Sequence, residues 1–341
     1  MLSLRPGIDK ADIRHGCLPG CPGPDPLAKL FSGCIITCVN SMKYLTQLLL
    51  IASLISAGCS TGNQEATNAA HLGHLQYAMQ TDPGAEARNE YLAALESAIG
   101  AAELEGRRVP PGRHAELGYL LARQSRAEEA RAQFLKEREL YPESAVYIDR
   151  LLGESTGAQQ PAAPDWPRVV VVLPPVNNSQ TAEAKGILMA SLADPLIQAG
   201  YYVLPVPIVM DVLQSEGLLD TRMYMDGTMK GFRDAFGADA VLISEILEWE
   251  KTFAGEASEL TIDLKASLKS TVNDEILWGG EGKVRADLMT STLAGASMED
   301  VLYQSRVLEL STIATDYWDY VGKANDRMFR SLPPGPYAGN P

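Results

Sequence analysis

Cysteine is confined to the start of this 341-residue chain, since all five cysteines lie at or before Cys59. The residues beyond Cys59 cannot form disulfides with one another, even in an oxidising compartment. Their stability therefore has to come from ordinary hydrophobic cores. The length of this cysteine-free portion suggests roughly two domains.

Histidine is also scarce, and its positions exclude several kinds of site. The four histidines, His15, His71, His74 and His114, all precede residue 168. The segment from residue 168 onward thus lacks the side chains most used as general bases, thiol nucleophiles and transition-metal ligands. His71 and His74 could share a helix face, but two surface histidines without neighbouring carboxylates do not make a metal site. We predict no metal and no cofactor.

Any reaction in the second segment would need a pair of carboxylates. Glu245 and Glu248 are three residues apart in a predicted strand, so their side chains should point to opposite faces of the sheet. Such a pair cannot work together as acid and base. A carboxylate-dependent hydrolase remains an alternative only if folding brings two acidic side chains into one pocket.

Basic residues are outnumbered by acidic ones, 29 to 43, which gives a net charge of −14. Residues 1–59 carry five Lys or Arg and three Asp, so the remaining chain carries −16. A body of this charge repels phosphate backbones and anionic lipid headgroups. We therefore expect no nucleic-acid partner and no attachment to membranes through a basic patch.

No apolar run reaches the roughly 20 residues that a membrane-spanning helix needs. The apolar stretch from Tyr44 to Ile55 follows Met42-Lys43 and precedes Ser56-Ala57-Gly58-Cys59, the pattern of a secretory signal. It resembles a bacterial lipoprotein signal, although Ser56 stands where that pattern usually has Leu. The resemblance implies that Cys59 is lipid-modified and becomes the mature amino terminus. The alternative is a short buried core helix.

In similar lipoproteins, the residue after the lipidated cysteine indicates whether the protein stays at the inner membrane or reaches the outer membrane. Ser60 stands where similar lipoproteins that stay at the inner membrane carry Asp. The resemblance thus implies an outer-membrane anchor, with the protein facing the periplasm.

Composition divides the chain into seven segments. We expect a non-native upstream extension over 1–41, the signal peptide over 42–58, a tether over 59–70, a helical domain over 71–152, a linker over 153–167, a second domain over 168–332 and a tail over 333–341. The extension contains two C-x3-C pairs, formed by Cys17, Cys21, Cys34 and Cys38, and a zinc site there is the alternative.

The first domain is predicted to be helical, with an interruption at Pro110–Gly112. One helix should bury a stripe made of Tyr91, Leu92, Leu95 and Ile99. Further on, the spacing is that of one tetratricopeptide helix pair, carried by Leu117, Gly118, Leu121, Ala130, Phe134 and Pro142. Gly118 and Ala130 would let two helices approach, and Phe134 would fill the gap.

The second domain alternates strands and helices and then becomes a β-meander. Strands are predicted over 168–173, 201–206, 240–247 and 260–269, and a return strand over 275–286 after an Asn273-Asp274 turn. Helices are predicted before Gly200, from Pro207 and over 228–236. The fold class is therefore α+β, a helical domain followed by a mixed-sheet α/β sandwich.

Two surfaces are candidate sites. The loop after the first strand places Asn177, Asn178 and Ser179 where they could cap a helix or bind an anion at its amino terminus. A final helix carries an apolar stripe, from which we select protein-docking candidates: Leu310, Ile313, Tyr317 and Val321.

Three motifs of the second domain carry a family resemblance: the run from Val172 to Ser179, the run from Ala199 to Val206 and Phe236-Gly237-Ala238-Asp239-Ala240-Val241. They resemble a family of bacterial lipoproteins of unassigned activity. The fold of that family is similar to the amino-terminal domain of TolB and to CsgG-type secretion lipoproteins. The first domain resembles a separate small lipoprotein family through Val109–Gly118 and Tyr141–Ala145.

The resemblance implies a location and partners, but no reaction. Both families are commonly encoded beside a CsgG-like lipoprotein, which makes such a protein the expected partner. The leading hypothesis is a non-enzymatic periplasmic lipoprotein that docks other envelope proteins in a transport or assembly complex, with a homodimer left open. The alternative is a lipoprotein regulator of peptidoglycan synthases.

Overall fold

The computed structural model describes residues 71–82, 84–154, 164–215, 217, 220–225, 227–254, 257–287 and 313–338. All of them belong to one compact unit, residues 65–341. Cys59, Leu310, the predicted extension, signal peptide and tether, and most of the predicted linker lie outside the described residues. Among the helices that are described, none is long and apolar enough to cross a bilayer.

The amino-terminal part of the described chain is helical. Its helices are 71–81 (α1), Ala85–Leu104 (α2), Arg113–Arg123 (α3), Ala127–Leu140 (α4) and Ala145–Leu151 (α5), with a 3₁₀ turn over Pro142–Ser144. The predicted stripe on α2 is confirmed, because all four of its residues are buried: Tyr91, Leu92, Leu95 and Ile99.

Helices α3 and α4 pack closely around Gly118. A Cβ atom added to Gly118 would lie 2.8 Å from Cε1 of Phe134 and 3.0 Å from the carbonyl oxygen of Ala130. Only glycine permits this approach, and Phe134 fills the space between the helices, as predicted. Helix α4 ends at Leu140, two residues before Pro142.

The carboxy-terminal part is built on a six-stranded mixed sheet. The strands are Val169–Val172 (β1), Val176–Asn177 (β2), Tyr202–Val203 (β3), Ala240–Ala254 (β4), Ala257–Ser270 (β5) and Ile276–Asp287 (β6). Their order is β3-β1-β4-β5-β6, and β2 also pairs with β4. Strand β1 is parallel to β3 and β4, whereas β4, β5 and β6 form an antiparallel meander. The predicted combination of a helical part with a mixed sheet is confirmed.

Six α-helices are described in this part, and helices pack on both sides of the sheet. They are Ala184–Ser191 (α6), Ala193–Gln198 (α7), Val206–Ser215 (α8), Arg222–Met225 (α9), Lys230–Phe236 (α10) and Ile313–Met328 (α11). The predicted strand over 201–206 is too long, because Pro205 has no N–H for the ladder and α8 begins directly after it. The other predicted strands and helices lie within a few residues of the observed ones, except that β4 continues to Ala254.

Each face of the sheet packs against its own hydrophobic core. On one face, β1, β3 and the start of β4 contact helices α2, α3, α4, α5, α8 and α10. On the other face, all the long strands contact α6, α7 and α11. Because the first core contains residues from α2 to α5 as well as from the sheet, the helical part and the sheet are stabilised together.

Helix α11 lies on β5 and β6 at very short distance. A Cβ atom at Gly282 would lie 2.1 Å from the carbonyl oxygen of Ala324, so glycine on β6 sets this distance. Val321, Ala324 and Met328 of α11 are completely buried. The structure therefore assigns Val321, which the sequence selected for docking, to the hydrophobic core.

The last described residues, 333–338, pack against the turn that precedes β3. The N–H of Gly335 donates a hydrogen bond to the carbonyl of Ala199 at 2.8 Å. The ring of Tyr337 contacts that of Tyr141 edge to face, with centroids 5.2 Å apart. This tail therefore contacts both the turn before β3 and the helical part of the molecule.

Candidate functional site

The loop Asn177–Ser179 closes on itself and does not cap a helix. Oδ1 of Asn177 accepts hydrogen bonds from the N–H of Ser179 at 3.0 Å and from its hydroxyl at 2.7 Å, and Nδ2 donates to the carbonyl of Thr181 at 2.8 Å. Helix α6 begins only at Ala184, and its N-cap residue Glu183 makes no side-chain hydrogen bond to it. The short polar side chains thus stabilise a local turn.

This loop is joined to a segment that the sequence did not single out. Residues 220–225 and 227–229, here called the strap, include α9 and lead into α10. At its start, the hydroxyl of Thr221 donates to the carbonyl of Pro174 at 2.5 Å. Nη2 of Arg222 lies 3.5 Å from Oδ1 of Asn178. The strap therefore begins at the loop after β1 and β2.

A buried lysine holds the middle of the strap. Nζ of Lys269, on β5, donates to the carbonyls of Met225 at 3.1 Å and Gly227 at 2.9 Å. Only 8% of Lys269 is exposed. Hydrogen bonds from an ammonium group are stronger than neutral ones, and a buried ammonium needs them. Beyond it, Oδ1 of Asp274 accepts the N–H of Met229 at 2.6 Å, so the strap ends on the β5–β6 turn.

Large apolar side chains are exposed at this end of the sheet. We call them the apolar end surface: Met223 at 62%, Met225 at 36%, Val272 at 57% and Ile276 at 70% exposure. Ile276 is the ladder partner of Lys269, and directly opposed residues point to the same face. Ile276 therefore lies on the face that the strap crosses.

The sequence contained only an indirect signal for this surface. Val272 and Ile276 flank the predicted turn at Asn273-Asp274, where polar residues are usual. Met223 and Met225 lie between predicted elements, in a segment without apolar periodicity. Nothing in the pattern showed that Lys269 would bring the two regions together.

The docking candidates of the last helix have different environments. Leu310 is outside the described residues, and the side chain of Ile313 is not described. The ring of Tyr317 packs on Trp249 with centroids 5.4 Å apart. Val321 is completely buried, so it is not available to a partner.

The carboxylates Glu245 and Glu248 lie on the same face of the sheet, so the prediction of opposite faces is wrong. Strand β4 contains a β-bulge between Ile246 and Glu248, and the two glutamates pair with Lys265 and Asp263, which are two residues apart. The extra residue of a bulge shifts the alternation by one.

A lysine on the same face, Lys283, forms an ion pair with one of these carboxylates, Glu248. Nζ of Lys283 lies 2.9 Å from Oε2 of Glu248 and 2.6 Å from Oδ2 of Asp263. This is an ion-pair cluster on an open sheet surface and not two carboxyl groups converging in a pocket.

A buried charge cluster joins the helical part to α7. The guanidinium of Arg113 contacts Oε2 of Glu116 at 3.1 Å and Oδ1 of Asp194 at 2.5 Å, and the hydroxyl of Tyr91 donates to Oε1 of Glu116 at 2.6 Å. Burial raises the pKa of both Glu116 and Asp194, and Arg113 opposes that rise. Charges buried this deeply are retained only when paired.

The cavity beside this cluster is small. It is lined by Arg113, Glu116, Gln76 and residues 203–206, among others, and has a volume of about 20 Å³. That is enough for a water molecule but far below the few hundred Å³ of a substrate pocket. The cluster therefore serves the packing of the two parts.

A second buried carboxylate, Glu137 of α4, caps helix α3 from outside. Oε1 of Glu137 accepts the N–H of Gly112 at 2.8 Å and the hydroxyl of Tyr202 at 2.8 Å, and Oε2 accepts the N–H of Ala115 at 3.1 Å. Burial raises the pKa of Glu137 to about 7, against the effect of these hydrogen bonds. The residue links α4, the start of α3 and strand β3.

Metal-ligating residues do not gather in the described part of the chain, where no group of three His, Cys, Asp or Glu side chains could hold an ion. His74 packs on Trp318, with ring centroids 4.2 Å apart. Burial is the main cause of its lowered pKa, and His71 adds to the effect.

The two segments match two family models. Residues 163–336 match the family described as "Putative lipoprotein GNA1162-like", and residues 73–151 match DUF4810, a domain of unknown function. A relative from Neisseria meningitidis, "Putative lipoprotein NMB1124/NMB1162", is 31% identical over 140 residues. The aligned region is 40% of this chain, and the chain spans 65% of that relative's length.

Solved structures are similar to parts of the chain. The crystal structure of lipoprotein GNA1162 from Neisseria meningitidis is 27% identical and has a TM-score of 0.35, covering 42% of this chain and 97% of that one. The LpoB carboxy-terminal domain from Salmonella enterica is 21% identical, with a TM-score of 0.24 and coverages of 41% and 94%. The GNA1162-like model spans half of the sequence, and the chain therefore belongs to the GNA1162-like lipoprotein family.

Proposed function

We propose that the protein is anchored by lipid at Cys59 to the outer membrane and faces the periplasm. Membership of a lipoprotein family supports the anchor. Ser60, in place of the Asp that favours retention at the inner membrane, supports the outer-membrane destination. A lipid chain gives the attachment that the acidic body cannot obtain from anionic headgroups.

We further propose that the protein acts without catalysis, as a docking component of an envelope transport or assembly complex. The observation that carries this proposal is the apolar end surface: Met223 and Met225 of the strap and Val272 and Ile276 beside the β5–β6 turn are exposed at the end of the sheet where the strap is anchored. Contiguous exposed apolar side chains are typical of protein interaction sites. Methionine adapts its shape to a partner more readily than branched residues do.

The partner that we propose is a CsgG-like lipoprotein, as the family resemblance implies. The finer structural comparisons belong to the same proposal: a TolB-like sheet domain preceded by one tetratricopeptide-like helix pair. The close approach of α3 and α4 at Gly118 supports the latter. Such helix pairs are commonly used for docking rather than for chemistry.

Affinity purification of the lipidated protein from membranes tests the partner. We expect the wild-type chain to recover a CsgG-like lipoprotein, and the double variant Met223→Ser, Ile276→Ser to lose it. The matched control is Leu104→Ser on α2, since Leu104 is 90% exposed but lies outside the apolar end surface.

Two outcomes would contradict this assignment. Equal recovery by the double variant and the control would show that docking does not use the apolar end surface. Recovery of a peptidoglycan synthase without a CsgG-like protein would instead favour the regulator hypothesis.

A further inference from the structure

The outer edge of the sheet is formed by β6, which is 12 residues long. Among the described residues, β6 pairs only with β5. The strand at the other edge, β3, contains only two residues. A long strand with an open side exposes a row of backbone donors and acceptors that another strand can use.

The direction of these groups follows from the ladder. The N–H of Ser270 donates to Glu275 on the β6 side, and the N–H of Thr271 donates to Asp239 on the β4 side. Strand β5 has no extra residue, so Asp263, eight residues before Thr271, also directs its N–H toward β4. Its partner Lys283 must then direct its N–H and carbonyl away from β5.

A second contact agrees with this direction. Nη1 of Arg327, on α11, donates to the carbonyl oxygen of Lys283. A side chain can reach that carbonyl because it faces the open side of β6. By the same alternation, Glu281 and Arg285 also direct their backbone groups outward.

The side chains along this edge have a self-complementary charge pattern. Glu281, Lys283 and Arg285 all lie on one face and are exposed. If two β6 strands run antiparallel about a twofold axis at Lys283, each Glu281 lies opposite Arg285 of the other copy. Direct opposition of unlike charges stabilises a strand pair.

The twofold axis would place the Lys283 residues of the two copies opposite each other, but each is already paired with carboxylates of its own chain. Each Lys283 has Glu248 and Asp263 within 2.9 Å, so its ammonium group carries its own counter-ions. Arg285 is only loosely engaged, 4.0 Å from Glu259 and with 65% of its side chain exposed. It is therefore able to turn toward a carboxylate of a second chain.

We infer that the β6 edge is a self-association site, at which a second copy of this chain adds its own β6 antiparallel and joins two sheets into one. Arg327 occupies the edge in the single chain and moves aside when the second strand arrives. Because each copy uses the same edge, the interface is used up in the pair and the association closes as a twofold dimer. The inference does not depend on the docking partner proposed above.

Light scattering and sedimentation of the full-length protein in detergent test this inference. We expect a concentration-dependent dimer. Glu281→Arg alone and Arg285→Glu alone each place like charges opposite one another twice and should weaken the dimer about tenfold or more. The double variant Glu281→Arg, Arg285→Glu restores both pairs and should restore the dimer.

A proline variant provides an independent measurement. Arg285→Pro removes an N–H that points outward, so the β5–β6 ladder keeps its hydrogen bonds while the edge loses a donor. We expect a monomer with wild-type circular dichroism. A wild-type protein that is monomeric at every concentration, a charge swap that does not restore the dimer, or a folded proline variant that still dimerises would each overturn the inference.

Discussion

The hydroxyl of Tyr202, on β3, donates a hydrogen bond of 2.8 Å to the carboxylate of Glu137, on α4. Both side chains are completely buried. This contact joins the helical part to the sheet, and the same carboxylate also caps the start of α3. An ionisable group thus lies at the centre of the packing between the two parts.

The stability of the protein should depend on the protonation of Glu137. Its pKa of about 7 in the folded state exceeds the ordinary value of 4.5, so the folded protein holds the proton more tightly than the unfolded chain. The stability that the protonated Glu137 contributes is fully present below the ordinary glutamate pKa of 4.5. It is lost as the pH rises through the folded-state pKa of about 7. Its size is on the order of 3 kcal/mol.

Urea unfolding at pH 5 and pH 8 measures this effect. Glu137→Gln removes the titration, so the difference in unfolding free energy between the two pH values should shrink by about 1–3 kcal/mol. Glu139→Gln, at an exposed position on the same helix, is the control and should leave the difference unchanged. An undiminished difference in Glu137→Gln would refute the assignment.

Gly118→Ala should destabilise the protein, because the added methyl group collides with Phe134 and with the backbone of Ala130. Overpacking of this kind costs about 1–3 kcal/mol. Gly100→Ala, within helix α2, is the matched control, since nothing lies within 4 Å of the added Cβ. That change should stabilise the protein by about 0.5–1 kcal/mol. Chemical denaturation of both variants measures their free energies of unfolding. Equal changes in the two variants would be inconsistent with close packing at Gly118.

Lys269→Met should release the strap without unfolding the sheet. The substitution keeps most of the apolar stem but leaves the carbonyls of Met225 and Gly227 without their ammonium donor. Hydrogen exchange of the strap amides should accelerate about tenfold or more. Lys265→Met, at an exposed position four residues earlier on β5, should leave exchange unaltered. Unaltered exchange in Lys269→Met would mean that other contacts hold the strap.

Cys59→Ala should release the protein from membranes, because it removes the sulfur to which the lipid would be attached. Membrane fractionation measures the change. Ser60→Ala leaves the cysteine in place and should remain membrane-bound. Sedimentation of Cys59→Ala with the membranes would contradict lipid anchoring.

Local patterns predicted most of the elements. The alternation from Leu260 to Leu268 predicted a strand with one buried face, and these apolar residues are buried as expected. The helix predicted over 228–236 ends as expected, with Gly237 in the left-handed conformation directly after α10. Such features depend on neighbours in the sequence, so the sequence contains the information needed to predict them.

The predictions of side-chain position were wrong where a contact between residues distant in the sequence decides that position. One extra residue in the β4–β5 ladder moved Glu248 to the face of Glu245, and no local pattern marks that position. Asn177 was expected near the start of a helix but forms its own turn, since α6 begins only at Ala184. Glu137 reads as an ordinary polar residue of a helix, although it is buried.

The sequence by itself determined the acidic charge, the cysteine-free body, the signal pattern around Cys59, and the order of helices and strands. Only the tertiary structure decided that Lys269 would bring the strap to the β5–β6 turn, that Val321 would be buried, and that β6 would pair only with β5 among the described strands. The physical reason is that composition and periodicity act through neighbouring residues. Burial and the pairing of distant groups depend instead on which surfaces meet when the chain folds.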